Sequence, residues 1–76
     1  MSYGYSAKLI YLNKRANGWL LGVRLGRACI RNNIPVAEVA EELGVSRQTV
    51  YNWFIGARSP QSGIAPDVRD YIDSLY

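Results

Sequence analysis

The chain has 76 residues, of which 49% are hydrophobic, and a formal net charge of +3. This length fits one small domain, and the apolar content is high enough for a packed core, which excludes wholesale disorder. A single cysteine and no histidine exclude an intramolecular disulfide and a Cys/His zinc site, and no apolar run approaches the ~20 residues of a membrane span.

The charges are unevenly distributed along the chain. Every acidic residue follows position 34, whereas most basic residues precede it. The early cations are Lys8, Lys14, Arg15, Arg24, Arg27 and Arg31. Such polarity steers one side of a domain toward a polyanion, although a merely solvated basic face is the alternative. No signal peptide is visible at the polar and aromatic start, which favours a cytoplasmic protein.

Residues 1–17 are predicted to form either a short helix or an extended arm. A helix would begin after Ser6 as its N-cap. Its inner positions at helical spacing would be Tyr5, Leu9, Leu12 and Ala16. In either form Lys14 and Arg15 are candidates for contacts with the DNA backbone, and the alternative is a packing segment with solvated cations.

After a break at Asn17-Gly18, the pattern predicts a helix from Trp19 to about Arg31. One predicted inner stripe contains Leu21, Leu25, Cys29 and Asn32, and its neighbour contains Trp19, Val23 and Ile30. Arg24, Arg27 and Arg31 share the opposite side. They form either a ridge that faces phosphates or a solvated face, and we expect the solvated face.

Glycines recur at positions 18, 22 and 26, on one edge of this helix. Each glycine inside a helix costs roughly 0.5–1 kcal/mol relative to alanine. A small domain that carries two of them mid-helix is expected to gain from the close approach of another backbone. We expect that packing to be intramolecular rather than between subunits.

Two further helices, predicted over Val36–Leu43 and about Arg47–Ile55, are joined by a tight turn at Gly44. Glycine suits this turn because a positive φ there meets no Cβ clash. Ser46 is a predicted N-cap of the second helix. The first helix buries Val36, Val39, Ala40 and Leu43, and the second buries Val50, Trp53 and Phe54.

The second of these helices leaves polar side chains on its open side, near its N-terminus. Arginine can pair with guanine, and glutamine and asparagine can pair with adenine. Threonine can offer its hydroxyl or contact a thymine methyl group. The candidates for reading bases are Arg47, Gln48, Thr49 and Asn52. The candidates for the DNA backbone are Ser46, Tyr51, Arg58 and Ser59, in addition to Lys14 and Arg15. A solvated helix that binds nothing is the alternative.

Residues 56–63 are predicted to be a loop because of their glycine, serine and proline content. A last helix is expected from about Pro66 to Leu75. Its apolar stripe contains Val68, Tyr71, Ile72 and Leu75, and it either closes the core or forms a dimer contact.

The stretch from Val36 to Ile55, with the following tail to Pro60, resembles the helix-turn-helix of Cro/C1-type (lambda repressor-like) phage proteins. The residues that carry the resemblance are Ala40, Gly44, Val39, Val45, Val50 and Trp53, together with a Trp-x-x-Gly-x-x-x-Pro exit. It extends over roughly Leu20 to Pro60 and implies that Arg47, Gln48 and Asn52 read bases. Where many relatives have an arginine–glutamate ion pair, this chain has Cys29 and Phe54, which implies an apolar contact instead.

These patterns together predict an all-α protein, a small bundle of four to five helices, with an arm or short helix over 1–17 and a helix-turn-helix domain over 18–76. The resemblance implies a sequence-specific regulator of transcription, of phage or bacterial origin, that binds double-stranded DNA. It would act by occluding a promoter or by contacting RNA polymerase, and a homodimer on paired half-sites is plausible.

Other functions stay open at this point. The same module could serve DNA packaging or replication in a phage. The chain could instead be an interaction module, for instance an inhibitor of a host enzyme that docks through Trp53, Tyr51 or the last helix. Single-strand binding by stacking on Tyr3, Tyr5 and Tyr11 is a weaker alternative. We expect no enzyme, cofactor or metal, since no catalytic constellation or phosphate-binding loop is visible.

Overall fold

The structure is a computed structural model that describes residues 5–75. This part of the chain contains five α-helices. The helices are α1 (Ala7–Arg15), α2 (Leu21–Arg31), α3 (Val36–Leu43), α4 (Arg47–Phe54) and α5 (Ala65–Ser74). Helix α2 is central, since α1, α4 and α5 all pack on it, while α3 packs on α4. The predicted all-α bundle is confirmed.

Ala7–Arg15 form a helix, which is one of the two structures that the sequence predicted for this segment. Ser6 is the N-cap of α1, and its hydroxyl accepts a hydrogen bond from the Leu9 N–H at 3.1 Å. Leu9 and Asn13 form the buried face of α1, whereas Leu12 is only half-buried. The buried face of α1 therefore contains Asn13, whereas the sequence predicted Leu12 there.

Helix α2 begins two residues later than predicted, and this places Trp19 outside it. The Asn17 side chain accepts a hydrogen bond from the Trp19 N–H at 2.9 Å, and the Leu20 N–H bonds to the Asn17 carbonyl. These bonds form a turn that directs the indole outward, and Trp19 is 91% exposed. Its predicted burial is wrong. Asn32, also predicted inside, is exposed and bonds back to the Ala28 carbonyl at 2.7 Å.

The glycines of α2 allow α4 to approach closely, as the expected intramolecular packing requires. A Cβ at Gly22 would lie 2.6 Å from the Trp53 Cβ and 2.7 Å from the Trp53 carbonyl oxygen. A Cβ at Gly26 would lie 2.6 Å from the Asn13 amide nitrogen and 2.9 Å from the Phe54 ring. Neither contact leaves room for a methyl group, so the two helices pack at a distance that only glycine permits.

The turn between α3 and α4 has the predicted geometry. Gly44 ends α3 in the left-handed conformation with φ 69°. The Val45 N–H then bonds to the Ala40 carbonyl at 3.0 Å, which satisfies one of the last carbonyls of α3. Asn33, after α2, is also left-handed, with φ 56°.

One buried cluster holds the helices together. Its fully enclosed members include Leu25, Cys29, Val39, Val50, Phe54 and Val68. Cys29 and Phe54 lie in the same apolar cluster, which agrees with an apolar contact in place of an ion pair. The Tyr5 ring stacks near Phe54 with ring centroids 6.1 Å apart, and its hydroxyl donates a hydrogen bond to the Ile34 carbonyl.

The last helix closes the core on the α2 side. Val68 and Ile72 are buried in the common cluster, and Tyr71 and Leu75 pack against it half-exposed. Pro66 lies in the first turn of α5, where its missing N–H removes no intrahelical bond. Of the two uses predicted for this apolar stripe, the structure shows core closure.

Candidate nucleic-acid interface

The first turn of α4 is open to solvent. Ser46 is its N-cap, and the Ser46 hydroxyl accepts a hydrogen bond from the Thr49 N–H at 3.1 Å. The same hydroxyl lies 2.8 Å from the Thr49 hydroxyl. Because α4 begins here, its remaining free N–H groups and its positive dipole end face outward, which favours a phosphate nearby.

The predicted base-reading side chains lie on one side of α4. Arg47 and Gln48 are exposed, and Thr49 and Asn52 are half-buried. The Gln48 amide nitrogen donates to the Asn52 side-chain oxygen at 3.2 Å, which aligns the two side chains along the helix. The buried residues of α4, Val50, Trp53 and Phe54, lie on the other side. The side chains predicted to read bases are therefore not enclosed by the domain.

A cleft of about 650 Å³ separates this face of α4 from the loop that follows it. Its lining consists of Val45, Thr49, Asn52, Trp53, Arg58, Ser59, Gln61 and Ile64. The Arg58 N–H bonds to the Asn52 carbonyl at 3.2 Å, which fixes the loop against the end of α4. The structure thus brings Arg58 and Ser59 beside the predicted base-reading residues. Gln61 also lines the cleft, and the sequence analysis missed it because a loop residue has no periodic signal.

The basic end of α1 lies elsewhere. Gly56, just past α4, is enclosed by Ala16, Leu20 and Val23, each 3.4 Å from the position of a Cβ. Residues next to Ala16 are therefore near the C-terminal end of α4, whereas Arg47 is at its start, about 12 Å away along an eight-residue helix. The structure does not place Lys14 and Arg15 beside the predicted base readers. The Arg15 guanidinium instead lies over the Tyr11 ring, 5.5 Å from its centroid.

Several side chains proposed for other functions are buried. Trp53 is 4% exposed and is not available for docking to a partner. Tyr5 is also buried, so it offers no stacking face for a single strand, and Tyr3 lies outside the described residues. Tyr51 is half-buried against the core. Tyr11 alone of the predicted stacking tyrosines is shown to be exposed.

The core contains one buried thiol, that of Cys29. Burial raises the pKa of the Cys29 thiol to about 12, and the nearby Glu38 carboxylate adds to the shift. A thiol with so high a pKa is a poor nucleophile near neutral pH.

Within residues 5–75 no group of three or more His, Cys, Asp or Glu side chains could hold a metal ion. None of the described helices is both long and apolar enough to cross a membrane.

Comparison with known families adds one finding to this geometry. Residues 24–55, from within α2 to the end of α4, match the family model of a homeodomain-like domain. The match supports a helix-turn-helix DNA-binding domain in general and does not single out the Cro/C1 type. Comparison with curated proteins and with solved structures gives no match.

Proposed function

We propose that the protein is a sequence-specific regulator of transcription that binds double-stranded DNA, of the phage or bacterial repressor type. The observation that carries the proposal is the open first turn of α4, with Arg47 and Gln48 exposed and Asn52 aligned behind them. A helix with such side chains at its N-terminus fits the major groove, where Arg and the amide side chains discriminate bases.

The cleft beside α4 supplies contacts to the DNA backbone in this proposal. Arg58 and Ser59 line it together with Gln61, and all three are exposed. With α4 in the groove, these side chains would meet the phosphates at its edge and fix the register of the helix, while the base contacts select the sequence. A homodimer on two half-sites would double this small interface, and repression would follow from occlusion of a promoter.

We propose that the protein is not an enzyme and acts by binding alone. The burial of Cys29 and the absence of histidine from the sequence leave few groups for acid–base or nucleophilic work. Contact with RNA polymerase is a further expectation that belongs to the same regulatory role.

The test is binding of Arg47→Ala to a panel of duplexes with single-base changes, after a preferred duplex has been selected from random sequence. Arg47→Ala is expected to weaken specific binding by about 1–3 kcal/mol and to relax preference at one base pair. Arg69→Ala removes an equal charge from the exposed face of α5 and should leave both quantities unchanged. Unchanged affinity and unchanged preference of Arg47→Ala would refute the proposal.

A protein-interaction module is the second candidate, and the 91% exposed Trp19 favours it. An exposed aromatic side chain is typical of the centre of a protein interface. Binding to DNA that is undetectable even at low salt would favour this function over DNA binding, since phosphate contacts strengthen as salt falls.

A further inference from the structure

The arginines of α2 lie on the side of the helix that faces away from α4. Gly22 and Gly26 abut α4. At about 100° per residue, Arg24, Arg27 and Arg31 centre about 150° away from these glycines around the helix. The DNA-facing helix and the arginines are therefore on opposite sides of the domain.

Two adjoining clefts concentrate the positive charge on that side. Arg24, Arg27 and Arg31 line a cleft of about 360 Å³ with Ile72 and Asp73 of α5. Arg27 and Arg31 also line a second cleft of about 230 Å³, together with Lys14 and the apolar side chains of Ile10 and Ile30. We name Lys14, Arg24, Arg27 and Arg31 the back face. Asp73 is the single carboxylate among the side chains that line these clefts.

One member of the back face is held in place by the fold. The Arg27 guanidinium donates hydrogen bonds to the Ala16 carbonyl at 3.1 Å and to the Lys14 carbonyl at 3.4 Å. These bonds fasten the end of α1 to α2 and fix the position of a charge between the two clefts. A cation that is already ordered loses less side-chain entropy when it meets an anion than a mobile one does.

We propose that the back face binds the phosphate backbone of a second DNA duplex, so that one molecule bridges two DNA segments. A surface on which positive charges are concentrated attracts a polyanion such as the phosphate backbone of DNA. The back face and the outer side of α4 lie on opposite sides of a domain with extents of 31 × 23 × 21 Å, so a straight duplex at α4 would not contact the back face. The bridging role rests on the proposed function, because one of the two duplexes is bound by α4. Binding of DNA by the charges of the back face does not depend on that function.

The experiment measures capture of one DNA by another. A biotinylated duplex with the preferred sequence is bound to beads, and a fluorescent duplex of random sequence is captured only if the full-length protein bridges the two. Arg24→Glu is expected to reduce capture about tenfold and to lower the salt dependence of capture, since about one counterion is released for each phosphate contact. At protein concentrations at which only the α4 site is occupied, binding of Arg24→Glu to the preferred duplex is expected to be unchanged.

Matched variants separate local charge from total charge. Lys8→Glu makes the same charge change at an exposed position that lines neither cleft, and it should leave capture within about twofold. Asp73→Asn removes the carboxylate from the back-face cleft and should increase capture. Asp70→Asn, at a position that lines a different cleft with Glu42 and Tyr71, should increase it less.

The outcomes distinguish this proposal from the proposed function. Relaxed preference at one base pair in Arg47→Ala, with capture of random duplexes retained, would support both proposals. Absence of any sequence preference in the wild type, with Arg24→Glu still weakening binding to random duplexes, would overturn the proposed function and support binding at the back face. Equal capture by the wild type and Arg24→Glu would overturn the back-face proposal, because two DNA-bound copies of a dimer would then explain bridging. Capture of RNA but not of DNA would also overturn it.

Discussion

The side-chain amide of Asn13 in α1 donates a hydrogen bond of 2.7 Å to the main-chain carbonyl of Phe54, the last residue of α4. The same nitrogen lies 3.3 Å from the Val23 carbonyl in α2. A carbonyl in the last turn of a helix has no partner within that helix. Asn13 therefore caps α4 from another element and links three helices through one buried amide that is 2% exposed.

Replacing Asn13 by leucine is expected to lower the free energy of unfolding by about 1–3 kcal/mol, although leucine is the more hydrophobic residue. The Phe54 carbonyl would stay buried without its donor, and desolvation of that group is the physical cause. Urea unfolding followed by circular dichroism measures the change. Gln61→Leu, at an exposed position, is the control for added hydrophobicity, and an equal effect at both positions would contradict the capping role.

Gly22→Ala is expected to destabilise the fold even though alanine is the better helix former by up to about 1 kcal/mol. The new methyl group would meet the main chain of Trp53 at 2.7–2.9 Å, and a main chain cannot move away as the end of a flexible side chain can. Thermal unfolding should show a lower Tm. Gly63→Ala has open space around its Cβ and should leave the Tm equal or slightly higher. An unchanged Tm of Gly22→Ala would contradict this, because it would show that α2 and α4 can move apart without loss of stability.

The stability of the fold is expected to fall at alkaline pH. Burial raises the pKa of Cys29 from 9.0 to about 12 and that of Tyr71 from 10.0 to about 12, and it also raises the pKa of Tyr5. The folded state thus keeps protons that the unfolded state releases, so the stabilisation is complete below pH 9 and is lost as the pH rises toward 12. Urea unfolding at pH 8, 9, 10 and 11 measures this decline.

Cys29→Ala removes one of these groups and is the control for the alkaline effect. Its stability should decline less steeply between pH 9 and 11 than that of the wild type, whatever its stability at pH 7. In the wild type, the thiol should react with iodoacetamide at pH 8 only in urea, because Cys29 is fully buried. Rapid reaction of the folded protein, or identical pH profiles of the two proteins, would show that Cys29 is not shielded as described.

The two tryptophans are expected to behave in opposite ways. Trp19→Ser should change the free energy of unfolding by no more than about 0.5 kcal/mol, since the indole is 91% exposed. Trp53→Ala should cost about 3–5 kcal/mol, because it leaves a cavity between α4 and α2. Acrylamide quenching of the wild-type fluorescence should resolve an accessible and a protected component, and Trp19→Ser should lose the accessible one. A protected Trp19 would indicate that a second copy covers it in solution.

The sequence predicted the helices of the helix-turn-helix well because the local signals there agree. Val39, Ala40 and Val50 follow the helical period, Gly44 supplies the positive φ, and Ser46 caps α4. The prediction failed where a polar residue acts through tertiary contacts. Asn13 is buried because two carbonyls of other helices need its amide, and nothing within α1 indicates this. Trp19 has an apolar side chain, but the Asn17 turn directs it outward.

The candidate site was predictable in part for the same reason. Exposure of Arg47 and Gln48 follows from the period of α4, since the buried residues of that helix fix its inner side. The cleft with Arg58, Ser59 and Gln61 depends on the path of a loop that has no repeating pattern. The separation of Lys14 and Arg15 from the start of α4 depends on how α1 packs, and the sequence left that open. Their roles in DNA binding stay predictions.

The glycines of α2 also determine how far α4 stands out from the body of the protein. Gly22 touches the inner side of α4 at Trp53, while Arg47 and Gln48 project from its outer side. If α4 enters a groove of DNA as proposed, a bulkier residue at position 22 would push the helix outward and change its depth there without touching any base. The contact with DNA would then depend on a residue in the interior of the domain that does not itself meet the DNA.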